Sequence, residues 1–566
     1  MLTPWMGPAG EPARAGDARL MKIGRILGGI AVVLVALGAL IWHFRADVLV
    51  RLAVLRQPKV EANQPVNWVQ GPATAPTGER PPNIVFILAD DLGFNDITFN
   101  GGGIVPTPNI DSIGKGGVDF TNGYSGNATC APSRAAIMTG RYPTRFGFEF
   151  TPTPVGFSRM VGTFKTPGST HPPHFNADKV KDTPPLDTQA VPASEVTIAE
   201  LLKSRGYHTM HLGKWHLGGT KGTRPEDQGF DESLGFISGA SLFAPVKDPN
   251  VVNSKQDFDP IDRFLWVTLP FSVQYNGSKP FHPDKYMTDY LTDQAISGIK
   301  ANRNQPFFMY LAYNAVHTPL QATKADYDAL PQIKDHRLRV YGAMLRNLDR
   351  NVGRVLAELK AQGLDDNTIV IFTSDNGGAN YIGLPDINRP YRGWKASFFE
   401  GGVRVPFFVR WPAKLAPGSR FSAPVAHIDI FATAAAAAGA AVPKDRVIDG
   451  VDLTAFATGK AQGRPHQNLF WRSGDYNMVI SGDWKLQSAA RPKKTWLFNL
   501  ATDPTEKVNL ADKEPAKVAE LMALIEAQNK QTMAPKWPSL LEGAIPIDHP
   551  LGVPDKPGDE FIYWSN

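Results

Sequence analysis

Asn83 to Ala89 reads NIVFILA, an unbroken apolar run rich in β-branched residues that stops abruptly at Asp90-Asp91. A strand with one wet face alternates polar and apolar residues. A run that is apolar at every position predicts a strand covered on both faces, in a sheet with helices packed on each side. Similar runs follow at Phe307 to Tyr313, Thr368 to Phe372 and Pro406 to Trp411. Helical patterns lie between them. In Thr197 to Arg205 (TIAELLKSR), Thr197 and Glu200 form a capping box and Gly206 supplies the stop. From Arg337 to Leu359, apolar Val340, Met344, Leu348, Val352, Val355 and Leu359 recur at spacings of three and four. This alternation predicts an α/β fold over residues 83–460, with a large, mostly parallel central sheet flanked by helices and with ligands gathering at the carboxyl ends of strands. Beyond about residue 460 the pattern changes to short strands at Met478 to Ile480, Trp484 to Ser488 and Trp496 to Leu500, with a helix near Pro515 to Gln528. Residues 461–566 therefore read as a smaller C-terminal α+β domain with antiparallel strands, plus a tail. The Pro-rich stretch 151–192 reads as an inserted substrate-facing loop or lid, and Ala432 to Ala441 as a packed helix.

Composition narrows the function classes. The chain has 566 residues, of which 20% are charged and 42% hydrophobic, with 52 Gly and 48 Pro, which excludes a coiled coil, a disordered tail protein and a multi-span membrane protein. The first sixty residues hold eight basic and three acidic side chains, which accounts for the whole net charge of +5. The remaining body is neutral and offers no electrostatic footprint for nucleic acid. Residues 1–25 read as an N-terminal extension, and Met21-Lys22 resembles a fresh start. Ile26 to Trp42 (ILGGIAVVLVALGALIW) carries no charge for 17 residues. It reads as a signal anchor or a signal peptide, with the anchor favoured, and makes the membrane an expected partner and an extracytoplasmic, anchored location the expected one. Val48 to Leu55 reads as an interfacial extension, within a linker spanning 43–82.

Three stretches carry chemistry. Asp90 and Asp91 end a buried strand, where adjacent carboxylates repel unless cations compensate. Asp375-Asn376-Gly377-Gly378 follows the run TIVIFTS at another strand end. Taken alone it is an ordinary turn. If the two ends converge, three carboxylates and an amide oxygen make a hard oxygen set suited to Ca²⁺ or Mg²⁺ rather than zinc. Cys130 is the single cysteine, which excludes an intrachain disulfide and a C-x-x-C redox centre. It stands at the expected start of a helix, where anions are stabilised and nucleophile pKa values fall.

The string Cys130-Ala131-Pro132-Ser133-Arg134, running on to Thr139-Gly140-Arg141, resembles the active-site signature of the type I sulfatases of the alkaline phosphatase superfamily, in which this cysteine is oxidised to formylglycine. The likeness continues in order through Gly213-Lys214-Trp215-His216-Leu217-Gly218, His317-Thr318-Pro319, Arg392-Gly393-Trp394-Lys395, Glu400-Gly401-Gly402-Val403-Arg404, Gly482-Asp483-Trp484-Lys485 and Asp503-Pro504-Thr505-Glu506. It implies an alkaline-phosphatase-like fold and an arylsulfatase-like hydrolase that splits sulfate esters into alcohol and sulfate. Its implied cofactors are formylglycine at residue 130 and a divalent ion, calcium with magnesium as the alternative, held by Asp90, Asp91, Cys130, Asp375 and Asn376. Catalytic roles are implied for Cys130 as nucleophile, Arg134 holding its hydrated form, and Lys214 and Lys395 on the sulfate oxygens. His216 would act as the base that releases sulfate and His317 as the acid for the leaving alcohol. Implied partners are a small-molecule or saccharide sulfate ester and a formylglycine-generating maturation enzyme. Two other functions compete: a phosphonate monoester or phosphodiester hydrolase of the same superfamily, and a catalytically dead, membrane-tethered glycan-binding protein. The serine or threonine that contacts sulfate in such enzymes has two candidates here, Ser238 and Ser241. The 151–192 insert and the tail beyond about residue 530 match no family-wide motif.

Overall fold

The computed structural model describes residues 4, 5, 7, 15–43, 59–163 and 168–566. Its centre is a nine-stranded sheet. In chain order the strands are β1 (Asn83–Ala89), β2 (Val118–Phe120), β3 (His208–Lys214), β4 (Glu232–Phe236), β5 (Gln274–Tyr275), β6 (Phe307–Ala312), β7 (Thr368–Ser374), β8 (Phe407–Arg410) and β9 (Ser419–Phe421). Across the sheet they run β9-β2-β8-β7-β1-β6-β3-β4-β5. The five strands from β7 to β4 are mutually parallel, whereas β8 and β5 pair antiparallel to their neighbours.

The apolar run of β1 is explained by what covers it. Val85, Ile87 and Ala89 enter one core, and Ile84, Phe86 and Leu88 enter another on the opposite face. Each large side chain so buried contributes about 1.5–3 kcal/mol, so a polar residue on either parity would be costly. The first core is closed by α4 (Met287–Asn302) and α5 (His336–Ala361), and the expected apolar stripe of α5, from Val340 to Leu359, is fully buried there. On the other face lie α2 (Cys130–Thr139) and α3 (Ile198–Lys203). The α3 capping box is present: Thr197 Oγ1 accepts from Glu200 N at 3.2 Å, and Glu200 Oε2 accepts from Thr197 N at 2.7 Å.

The stretch 151–192 contains a helix, Val155–Thr163, and a two-residue strand, His174–Phe175. That strand joins β14 (Leu541–Pro546) and β15 (Phe561–Ser565) in one small sheet. Insert and tail, separate in sequence, are thus one structural piece.

The chain divides into two compact units, residues 1–57 and 58–566. Within the first, α1 spans Ala15–His43. Among the described residues no helix is long and apolar enough to cross a membrane. This corrects the expectation of an anchor at residues 26–42, of the membrane as a partner, and of an anchored, extracytoplasmic location resting on that segment. The uncharged run is 17 residues, at the lower limit of what spans a bilayer, and Arg19, Lys22 and Arg25 precede it. The interfacial extension expected at Val48 to Leu55 lies outside the described residues.

Strands β10 (Asn468–Ser473), β11 (Tyr476–Ser481), β12 (Trp484–Ala489) and β13 (Lys494–Asn499) form an antiparallel sheet. Helix α6 (Pro515–Asn529) packs on it through Leu521 and Ile525. The other side of this sheet meets the α/β body through buried charge. Lys485 Nζ lies 2.8 Å from Glu400 Oε1 and 2.9 Å from Glu506 Oε1, with all three side chains inaccessible. Glu400 also receives Tyr124 Oη at 3.0 Å and Arg404 Nη1 at 3.2 Å, while Glu506 Oε2 accepts from Glu400 N at 2.6 Å. A buried ion cluster of this kind is costly to break from one side, because the remaining charges keep their desolvation penalty. Lys485→Met therefore should destabilise the protein by about 3–5 kcal/mol, read as a lower thermal midpoint. Adding Glu506→Gln should restore part of that loss by removing one orphaned carboxylate. A Lys485→Met midpoint equal to the parent's would show that the cluster does not hold the two parts together.

Candidate active site

Strand register brings the chemistry together. Ala89 of β1 lies opposite Ser374 of β7, so the next residues, Asp90 and Asp375, leave the sheet side by side. On the other flank β6 ends at Ala312 beside Gly213 of β3, which places Lys214 and the Asn314–His317 turn at the same edge. The turns are tied: Asp90 N donates to Ala315 O at 2.9 Å, Val316 N to Asp90 O at 2.9 Å and Asp375 N to Ala89 O at 3.1 Å. These are the carboxyl ends of parallel strands, where an open α/β sheet presents ligand sites. Helix α2 points its N-terminus at this edge, starting at Cys130. The chain bends sharply here, with Asp91, His216 and Ala396 at φ of 59°, 62° and 64°. Such left-handed backbone in non-glycine residues is held by its surroundings and clusters at functional sites.

One ligand atom from each of Asp90, Asp91, Cys130 and His317 falls within 4.8 Å of the others, and all four residues are buried. Asn376 Nδ2 donates to Asp91 Oδ1 at 2.8 Å, and Asp375 Oδ1 accepts from Asp91 N at 3.3 Å. Cations surround this acidic knot. Arg134, one helical turn beyond Cys130, donates Nε to Asp375 Oδ2 at 2.9 Å, its Nη2 lies 2.8 Å from the same oxygen, and its Nη1 reaches Lys214 O at 2.9 Å. Lys214 Nζ is 2.7 Å from Asp90 Oδ2. Lys395 Nζ lies 2.7 and 2.9 Å from the Asp91 oxygens and 3.1 Å from Cys130 Sγ.

These charges set protonation. Burial alone would raise the Cys130 thiol, but Lys214 and Lys395 outweigh it and bring the pKa down to about 7. Burial likewise opposes ionisation of Asp91, yet Lys395, His317 and Lys214 hold its carboxyl well below the usual range. Asp375 is pushed up, by burial and then by the Asp90 charge. Burial and then Lys214 and Arg134 keep His216 neutral, far below the ordinary imidazole range. For His317 burial is overcome by Asp91 and Asp90, and its pKa rises. His317 Nδ1–H donates to Thr318 O at 2.5 Å, which turns Nε2 toward Asp91 Oδ2, 3.6 Å away. Thr318 Oγ1 in turn donates to the buried Asp262 at 2.8 Å.

The donor set fits a hard divalent cation on two observations. Asp90 Oδ1 and Asn376 Oδ1 are buried and have no hydrogen-bond partner, a costly condition unless another group satisfies them. The oxygens also come from carboxylates and an amide, the ligands such ions take. The buried Asp90, Asp91, Cys130 and His317 cluster can therefore bind a divalent metal.

The structure thus brings together Asp90, Asp91, Cys130, Arg134, Lys214, His317, Asp375, Asn376 and Lys395. His216 follows Lys214 by two residues, with its Nδ1 buried and unpartnered and its ring so close to Gly239 that a Cβ there would meet it at 2.7 Å. The Ser238 hydroxyl donates to the carbonyl of Ala240 at 2.9 Å, and that of Ser241 to the carbonyls of Leu242 and Pro270 at 3.1 and 3.0 Å. Sequence reasoning missed Tyr381, whose Oη donates to Asp91 Oδ2 at 2.8 Å and accepts from Lys395 Nζ at 3.1 Å. Tyr381 lies in a short turn, Asn380–Ile382, with no periodicity, so nothing in the sequence marked it.

The profile of the family described as Sulfatase matches residues 82–440, and that described as N-sulphoglucosamine sulphohydrolase, C-terminal, matches 393–533. The N-acetylgalactosamine-6-sulfatase of Mus musculus is 34% identical, covering 72% of this chain and 72% of its own. The steryl-sulfatase of Mus musculus is 33% identical, covering 73% and 72%. The crystal structure of Ps i-CgsB in complex with k-i-k-neocarrahexaose is similar at 32% identity and a TM-score of 0.67, covering 81% of this chain and 95% of that one.

Asp96, five residues beyond Asp91, is fully buried. Its Oδ2 accepts from Gly93 N at 2.7 Å and from Tyr341 Oη at 2.6 Å, yet burial outweighs both and pushes the carboxyl up to about 7. An unfolded aspartate titrates near 3.9, so between roughly pH 4 and pH 7 the folded chain holds this proton and the unfolded chain does not. This group's contribution to stability therefore falls as pH rises through that window, by about 1.4 kcal/mol per unit. Asp96→Asn removes the titration. Its thermal midpoint relative to the parent should move in the variant's favour between pH 5 and pH 8, and a constant difference would show that Asp96 ionises normally.

Proposed function

The chain belongs to the sulfatase family, and from that premise we propose that it hydrolyses the sulfate ester of a saccharide, with residue 130 as nucleophile after oxidation to formylglycine and calcium held by Asp90, Asp91, Asp375, Asn376 and residue 130. One observation carries the reading: Cys130, at the start of a buried helix, has Lys395 Nζ at 3.1 Å and two strand-end carboxylates beside it. A thiol kept only for packing needs no such cations. When present, the two groups supply a hydrated aldehyde with two hydroxyls on one carbon, one to attack sulfur and one to release sulfate, and a Lewis acid for the developing charge.

The chain's own residues do the rest. Sulfuryl transfer redistributes negative charge over the sulfate oxygens, and Lys214 and Lys395 are the ammonium groups aimed at that space. Arg134, anchored to Asp375, balances the carboxylates and holds residue 130 from the next helical turn. His317 Nε2 faces the site because Nδ1 is committed to the Thr318 carbonyl, so Nε2–H is the donor for the leaving alkoxide oxygen. His216, neutral and unpartnered at Nδ1, is the acceptor for the proton of the second hydroxyl.

The saccharide assignment is supported by the likeness to the N-acetylgalactosamine-6-sulfatase and to the Ps i-CgsB complex, with the steryl-sulfatase as counterweight. The neutral body of the chain suits a short substrate better than a long polyanion. Calcium over magnesium is supported by the number of oxygens the strand-end turns offer, which suits an ion of higher coordination number.

The decisive measurement pairs mass and turnover. Protein made in a host with the maturation enzyme should yield a peptide containing residue 130 as aldehyde, and Cys130→Ala should lose sulfate release by at least a thousandfold, the scale of a removed nucleophile. Sulfate release from a 6-sulfated N-acetylgalactosamine should exceed that from a sterol sulfate and from a matched aryl phosphodiester. Removing divalent ions with a chelator should abolish turnover, and calcium should restore it better than magnesium. An unmodified thiol in fully active protein would overturn the nucleophile, and faster phosphodiester turnover would overturn the substrate class.

A further inference from the structure

Lys395 Nζ lies 3.1 Å from Cys130 Sγ, and its other neighbours decide how it is turned. An ammonium has three N–H donors on a flexible stem, and both oxygens of Asp91 lie within 2.9 Å of it. With that carboxylate as its only partner, the ammonium would be free to rotate about the contact. The fourth neighbour is Tyr381, whose Oη accepts from Lys395 Nζ at 3.1 Å and gives its own hydrogen to Asp91 Oδ2 at 2.8 Å. That arrangement has one polarity. Because the phenol hydrogen is committed to Asp91, the phenol oxygen faces the ammonium purely as an acceptor. It also occupies one of the two Asp91 oxygens for which Lys395 competes.

The tyrosine is itself held firmly. Its turn closes at Gly383, in the left-handed region at φ 70°. Arg337 Nη1, from α5, donates to Ile382 O at 3.3 Å and Gly383 O at 3.0 Å. The tail adds a second brace: Leu551 N donates to Asn380 O at 3.1 Å, while Ile547 O accepts from Gly393 N at 3.2 Å. A single short piece of tail thereby bonds to the loop of Tyr381 and to the loop of Lys395, which fixes the spacing between the two side chains.

We propose that Tyr381 is a positioning residue of the sulfate site: its phenol oxygen takes one N–H of the Lys395 ammonium and so fixes how that ammonium, paired with Asp91, is turned toward residue 130 and the sulfate oxygens. The inference rests on the reading of Lys395 given above, and its test separates the two. Tyr381→Phe removes only the hydroxyl and keeps the ring, so the thermal midpoint and the bound divalent metal per chain should match the parent. Turnover of the sulfate ester should fall about ten- to hundredfold, the factor of one hydrogen bond to a charged group, with most of the loss in kcat. Inorganic sulfate should also inhibit the variant more weakly, a binding readout independent of turnover. In the Lys395→Ala background the same Tyr381→Phe change should cost nothing, because the residue it positions is gone. An equal loss in both backgrounds, or no loss in either, would overturn the role of Tyr381 while leaving Lys395 in place. Full turnover by Lys395→Ala alone would instead remove the reading on which the role depends.

Discussion

Like charges at the end of a buried strand are the constraint from which this molecule is built. Asp90 and Asp91 leave β1 inaccessible to solvent, and β7 delivers Asp375 beside them. Three carboxylates in a low-dielectric edge cannot coexist without compensation. The chain answers with Arg134 from a helix, Lys214 from β3 and Lys395 from the loop between β7 and β8. Each comes from a distant stretch of sequence, so the fold has to be correct on several flanks before the charges balance. A site built this way is preorganised: its dipoles and ions are in place before substrate arrives, which is how enzymes stabilise developing charge most effectively.

Much of this was legible in the residues. Runs apolar at every position, such as NIVFILA, announce strands buried on both faces, and the structure places their odd and even residues in two separate cores. The α3 capping box and the stripe of α5 were readable because helix signals are local and periodic. The string around Cys130 was readable because its chemistry demands a particular residue at each position. The sulfatase reading that followed from it agrees with the family match over 82–440.

The misses have physical causes too. The uncharged segment at 26–42 was read as a signal anchor or a signal peptide, with the anchor favoured, but no described helix is long and apolar enough to cross a membrane. Tyr381 was invisible because a single tyrosine in an aperiodic turn has no pattern, and its importance is created by where β7 and the tail put it. The partnership of insert and tail was equally unreadable, since pairing between His174–Phe175 and β14 spans more than 360 residues of chain and no local signal reports so distant a register.

The loop between β7 and β8 shows why the C-terminal part belongs to the site without touching it. This loop carries Asn376, Tyr381 and Lys395 but has little secondary structure of its own, and a free loop of that length would not hold an ammonium to a fraction of an ångström. Its far end is clamped at Glu400, which Lys485 and the backbone contact with Glu506 tie into the antiparallel sheet. Its middle is clamped by the tail, through Arg392 to Asp548 and Glu560 and through Gly393 to Ile547. The segment between those anchors is pinned beside the start of α2 by Ala396 N, which donates to Ala128 O at 2.8 Å just before Cys130. The C-terminal residues therefore act on catalysis by geometry: they convert a long connection into a rigid one, and the lysine it carries inherits that rigidity.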